Sequence, residues 1–98
     1  MCSFCYNTPM QQDQVVEIFK ALGDKTRLEI VSYLAERGEV ACAEISQRFP
    51  LSQPTMSHHY NKLKQAGILN IREEGVKHFY SIDHELLKKN GIDIAKLM

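Results

Sequence analysis

The hydrophobic period of this chain changes from helical to alternating at Gly67, and that change orders its elements. Upstream, apolar side chains recur at three and four residues. Downstream, Ile68-Leu69-Asn70-Ile71-Arg72 and Val76-Lys77-His78-Phe79-Tyr80-Ser81-Ile82 alternate as two strands. Glu73-Glu74-Gly75 between them reads as a hairpin turn, with a glycine free to take a positive φ.

Four helices precede the hairpin. Residues 1–9, ending in Thr8-Pro9, read as a flexible N-terminal arm, and residues 10–98 as a single domain without internal repeats or low-complexity tracts. Val15, Phe19 and Leu22 open the helical pattern, with Val16 and Ile18 alongside. Gly23 ends that helix and Asp24 caps the next, whose stripe is Leu28, Val31, Leu34 and Ala35 and whose stop is Gly38. After the link Glu39–Cys42, a brief third helix spans about Ala43–Phe49, with Ile45 and Phe49 facing inward. Pro50-Leu51 breaks it, and Ser52 caps a fourth helix running to about Ala66. Beyond the hairpin, Asp83 caps a last helical segment with Leu86 and Leu87, interrupted at Asn90-Gly91 and followed by the apolar Ile92, Ile94, Leu97 and Met98. Two short helices across a tight break form a helix-turn-helix. The expected fold is therefore mainly α with a small β-hairpin wing, in the order α-α-α-α-β-β-α: a winged helix-turn-helix.

The fourth helix carries the chemistry. At about 100° per residue, Tyr60 and Leu63 fall within about 40° of Met56, one narrow apolar stripe. Thr55, Ser57, His58, Asn61, Lys62 and Gln65 fan over the remaining circumference, none of them acidic. Hydroxyl, amide and imidazole groups exchange hydrogen bonds with base edges, and lysine suits phosphate. Free N–H groups and a positive dipole end at Ser52-Gln53 also favour a DNA phosphate. The net charge is zero, from 12 basic and 12 acidic residues, which by itself argues against nucleic acid. Distribution reverses that argument. From Ile45 to Arg72 there is no Asp or Glu, while Arg48, Lys62, Lys64 and Arg72 lie within the stretch, and a local field governs docking more than a total does. Arg72, Lys77 and His78 flank the hairpin turn, placed to reach the backbone or minor groove against the repulsion of Glu73 and Glu74. Double-stranded DNA is the expected partner, with Ser52, Gln53, Thr55, Ser57, His58, Asn61, Lys62, Arg72 and Lys77 as its contacts.

Size and composition bound the rest. At 98 residues and 44% hydrophobic, the core is modest, and a chain of this kind often completes it by dimerising. Val15, Val16, Ile18, Phe19, Leu86, Leu87, Ile92 and Ile94 exceed what one small core needs. No apolar run spans a bilayer and no signal peptide opens the chain, so a cytoplasmic location is expected.

Three segments together resemble the ArsR/SmtB family of bacterial winged-helix repressors. Phe19-Lys20-Ala21-Leu22-Gly23-Asp24-Lys25-Thr26-Arg27-Leu28-Glu29-Ile30 looks like the family's opening motif, with Lys25 where proline is frequent. Leu51-Ser52-Gln53-Pro54-Thr55-Met56-Ser57-His58-His59 resembles its recognition-helix signature. Ala66-Gly67-Ile68-Leu69, Glu74-Gly75 and Phe79-Tyr80-Ser81-Ile82 resemble its wing. The resemblance covers about residues 13–87. It implies a homodimer built on the first and last helices, with Val15, Val16, Phe19, Leu86, Leu87 and Ile92 in the interface. It also implies an inverted-repeat operator, repression until an inducer releases the dimer, and His59 and Tyr60 turned toward the body or a phosphate.

The family includes metal and metalloid sensors, and the chain has three cysteines, Cys2, Cys5 and Cys42. An odd count argues against a disulfide framework. Cys2 and Cys5 have C-x-x-C spacing, and with Cys42 they would offer three thiolates to a soft metal or arsenite. The family's ligand positions on the third helix are instead Ala41 and Ala43, with Cys42 about 100° away from them. Asp83-His84-Glu85 lacks the downstream histidine of the family's second metal site. Soft-metal sensing, thiol redox sensing and inducer-independent regulation all stand open.

Two other function classes are open to a chain of this kind. His58, His59, His78, His84 and Cys42 are potential catalytic groups, but no nucleophile–base–orienter set or glycine-rich phosphate loop appears, so no enzyme is expected. Zero net charge and an acidic wing tip favour a protein-interaction module without DNA binding. The acid-free stretch and the Ser52-Gln53…Ser57-His58 motif oppose it.

Overall fold

The computed structural model describes residues 9–97; the expected arm and Met98 lie outside them, apart from Pro9, which begins the first helix. The elements are α1 (Pro9–Leu22), α2 (Lys25–Arg37), β1 (Val40–Ala41), α3 (Cys42–Arg48), α4 (Gln53–Gln65), β2 (Leu69–Glu74), β3 (Lys77–Ile82), α5 (His84–Lys89) and α6 (Ile94–Leu97). This is the winged helix-turn-helix expected, with one strand more.

The additional strand, β1, completes an antiparallel sheet of order β1-β3-β2. Val40 pairs with Tyr80 and Ala41 with Phe79, while β2 and β3 run in register from Leu69↔Ile82 to Glu74↔Lys77. The hairpin loop is thus Gly75-Val76, with Gly75 at φ 64. A positive φ at the first central residue is the type II′ pattern that suits the twist of paired strands.

Local chemistry sets the helix boundaries. Asp24, Ser52 and Asp83 each accept a hydrogen bond from a backbone N–H three residues on, those of Arg27, Thr55 and Leu86. At the far end of α4 the Ile68 N–H donates to Leu63 O at 3.0 Å and the Gly67 N–H to Lys64 O at 2.9 Å, a Schellman closure. Gly67 takes φ 82 there, and a Cβ would stand 3.3 Å from Leu86 Cδ2. Ile68 then receives the Asp83 N–H at 2.8 Å, so the end of α4, the start of the wing and the cap of α5 meet within a few ångströms.

The core gathers one face of every layer: Ile18, Ala21 and Leu22 from α1, Ile30, Val31 and Leu34 from α2, Ile45 from α3, Met56, Tyr60 and Leu63 from α4, Tyr80 and Ile82 from β3. Each fully buried aliphatic side chain contributes roughly 1.5–3 kcal/mol of transfer free energy. On α1, Ile18, Ala21 and Leu22 face inward, while Val16 and Phe19 remain 48% and 54% exposed. Two sequence expectations need correction. Leu87, expected at a subunit interface, is buried in the protomer's own core, because its turn of α5 packs inward. Leu28 and Ala35, expected in the α2 stripe, are only partly buried at the core's margin.

Candidate nucleic-acid interface

The face that α4 turns away from the core is continuous, polar and free of acidic groups. Met56, His59, Tyr60 and Leu63 are its buried residues, while Ser52, Gln53, Thr55, Ser57, His58, Asn61 and Lys62 are all exposed. The Ser52 hydroxyl does two things: its oxygen accepts from the Thr55 N–H at 3.3 Å, and it donates to Thr55 Oγ1 at 2.8 Å. Pro54, in the first turn, has no N–H to leave unsatisfied. The helix therefore starts firmly where its free N–H groups face solvent.

His59 anchors α4 from behind. It is 8% exposed, with Nδ1 3.4 Å from the Arg27 guanidinium and 3.9 Å from the Asp24 carboxylate. Burial holds the His59 imidazole below its ordinary pKa despite the opposing pull of Asp24. A neutral ring lets Nδ1 accept from Arg27. Arg27 is itself fixed by donating from Nε to Ala21 O at 2.6 Å. The N–H of Arg27 at the Asp24 carboxylate keeps that acid below the usual range. The end of α1 and the start of α2 are thereby tied to the middle of α4. The family resemblance turns His59 toward the body or a phosphate, but its partners, 32 and 35 residues away, are not legible in the sequence.

Lys62 lies at the edge of a small polar recess shared with Glu17, Lys20, Arg27 and Gln65, in which the Glu17 carboxylate lies 3.8 Å from Lys20 Nζ. On the wing, Lys77 and His78 are exposed as expected. Arg72 is not a free cation. Its Nε and Nη2 donate to both Glu39 oxygens at 3.0 and 2.8 Å, its Nη1 donates to Glu74 at 2.7 Å, and its guanidinium lies 4.6 Å from the centre of the Phe79 ring. From β2 the side chain arches over β3 to an acid beside β1. These partners compete with phosphate for a side chain expected at a DNA contact, and they follow from the strand whose pairing the sequence did not reveal. His78 Nε2 lies 3.9 Å from the Glu73 carboxylate at the same tip.

Cys42, expected at the start of the third helix, is its first residue and is half-buried. Among the described residues no group of three or more His, Cys, Asp or Glu side chains is placed to hold a metal ion. Cys2 and Cys5 lie outside the described residues.

A helix-turn-helix domain family matches residues 22–72. The chain is similar to an HTH-type transcriptional regulator of Methanocaldococcus jannaschii, 46% identical over 77 residues that cover 79% of this chain and 86% of that one. It is similar to the arsenical resistance operon repressor of Staphylococcus xylosus, 37% identical over 78 residues, 80% and 74% of the two chains. Its fold matches the solution structure of a homodimeric winged helix-turn-helix DNA-binding domain from Mycobacterium bovis, described as a possible ArsR-family regulator. That match has a TM-score of 0.75 at 27% identity, covering 92% of this chain and 82% of that one.

Proposed function

Because the chain belongs to the ArsR/SmtB family of winged helix-turn-helix DNA-binding transcriptional regulators, which are not enzymes, we propose that it represses transcription as a homodimer on an inverted-repeat operator. Each α4 enters the major groove of one half-site. The acid-free exposed face of α4 carries this reading. Gln53, Thr55, Ser57, His58 and Asn61 present hydrogen-bonding groups to base edges; Lys62, the N-terminal amides beside Ser52, and Lys77 of the wing engage phosphates. Val16 and Phe19, exposed on α1, meet their counterparts in a second copy, flanked by the half-buried Val15, Leu86 and Ile92. Among the described residues no helix is long and apolar enough to cross a membrane.

For the inducer, the name of the arsenical repressor supports a soft metalloid. The described residues do not fit such an ion by themselves: Cys42 stands between Ala41 and Ala43, and no second thiol is among them. A soft-ion response therefore rests on Cys2 and Cys5, as does the thiol-oxidation alternative.

The test is selection of bound sequences from a random duplex pool, followed by titration of the purified protein. Enrichment of an inverted repeat, bound at two chains per duplex with affinity falling as salt rises, is the expected result. No retention of any duplex at low salt overturns the proposal. Adding arsenite, then diamide, to the complex separates the two thiol readings.

A further inference from the structure

Between α3, α4 and β3 lies a cavity of about 960 Å³, within the size range of small-molecule sites. Met56, Tyr60 and Tyr80 form its buried wall beside the half-buried Cys42, and the exposed Gln53, Ser57 and Lys77 stand at its edge. Tyr60 is 8% exposed, and its hydroxyl is buried without a hydrogen-bond partner. A buried hydroxyl left in that state costs the folded chain its lost hydration, so such groups are rare without a purpose. Tyr80 stacks edge-on against Tyr60, with ring centroids 4.6 Å apart. Burial and the neighbouring Cys42 thiol push the Tyr80 hydroxyl up to about 12, and burial raises Tyr60 further, so both phenols keep their protons. No carboxylate lines the cavity.

We propose that this cavity is an effector site for an uncharged, ring-sized apolar molecule whose carbonyl oxygen accepts the hydrogen bond that Tyr60 has free. The aromatic rings and Met56 supply the apolar contacts, and an ionised ligand is disfavoured by the lack of a buried counter-charge. The Tyr60 hydroxyl has essentially no accessible surface in the free chain, so the carbonyl reaches it only as the side chains around it rearrange. Gln53 and Ser57 belong to α4 and Lys77 to the wing, so an occupant stands between the two elements that DNA engages and opposes docking. That last step rests on the DNA-binding reading; binding in the cavity does not.

The experiment compares 2-acetylnaphthalene with 2-ethylnaphthalene, near in shape but lacking the oxygen, by calorimetry and by amide chemical shifts on the full chain. The expected result is shifts at Cys42, Tyr60 and Tyr80, and about tenfold tighter binding of the ketone, one hydrogen bond's worth. Tyr60→Phe removes an unpartnered hydroxyl and keeps the ring. It is expected to melt no lower than the parent and to bind both probes equally. Equal binding by the parent, or no shift at these residues with the ketone, overturns the site. Ketone binding that leaves the DNA complex intact overturns its coupling to DNA. A parent that binds the ketone as expected but no DNA overturns the function proposed above while upholding the site.

Discussion

Arg72 and Glu39 face each other across β3 in a two-bond fork at 2.8 and 3.0 Å, and this pairing occupies the wing's one arginine. Glu39→Gln loosens that hold. We expect the variant to bind operator more tightly, with the slope of log affinity against log salt steeper by about one phosphate contact. Arg72→Ala should change affinity less than threefold. Fluorescence anisotropy between 50 and 200 mM salt measures both, and a large loss in Arg72→Ala would mean that DNA draws the arginine away from its acid.

Substitutions on α4 should sort by what each side chain touches. Ser57→Ala and His58→Ala are expected to lose about 1–3 kcal/mol of preference for the selected base at one operator position. Lys62→Ala should weaken all duplexes alike and lower the salt slope by about one. Binding to a panel of single-base operator variants distinguishes the patterns; uniform weakening in all three would remove the base-reading role.

Stability should fall as the medium is acidified through the histidine range. His59 is held below its ordinary pKa of 6.5, chiefly by burial. Above 6.5 the ring is neutral in both folded and unfolded chains, and the favourable neutral packing is fully present. As pH drops below 6.5 the unfolded chain takes up a proton that the folded chain resists, so stability is lost until the folded pKa is passed. Urea midpoints at pH 7.5 and 5.0 should show the decline in the parent and a flatter profile in His59→Gln.

Phe19→Glu places a charge at the centre of the exposed patch on α1 without entering the core. Sedimentation should show a folded monomer, and binding to the full inverted repeat should fall to that of a half-site. An unchanged dimer would move the interface elsewhere.

Gly67→Ala tests the closure of α4. Its φ of 82 and the 3.3 Å approach to Leu86 both oppose a side chain. A cost of about 1–2 kcal/mol is expected, which lowers the melting temperature by several degrees in a domain of this size.

Much of this architecture is legible in the sequence because it is local. Asp24, Ser52 and Asp83 announce helix starts through short polar side chains that reach the free amides of the next turn, and each serves as a cap in the structure. The hairpin is legible from the change of period and Gly75. What escapes is non-local. Two residues, Val40 and Ala41, have no period to read, so β1 becomes visible only beside Tyr80 and Phe79. The fate of Arg72 follows from that strand and is hidden with it. In α1, apolar residues surround most of the helix, and a pattern cannot separate the core-facing Ile18 from the exposed Phe19. The arrangement of His59, Arg27 and Asp24 needs the fold before its members become neighbours.

The division of labour within α4 bears on how such a regulator diversifies. Met56, His59, Tyr60 and Leu63 hold the helix in place and Ser52 and Thr55 fix its start, while the exposed Gln53, Ser57, His58 and Asn61 serve neither purpose. Substitutions among Gln53, Ser57, His58 and Asn61 should therefore leave folding nearly untouched while changing the address the protein recognises. Gene copies descended from such a chain can part company at a handful of surface positions, each acquiring its own target sequence, before the shared scaffold registers any difference.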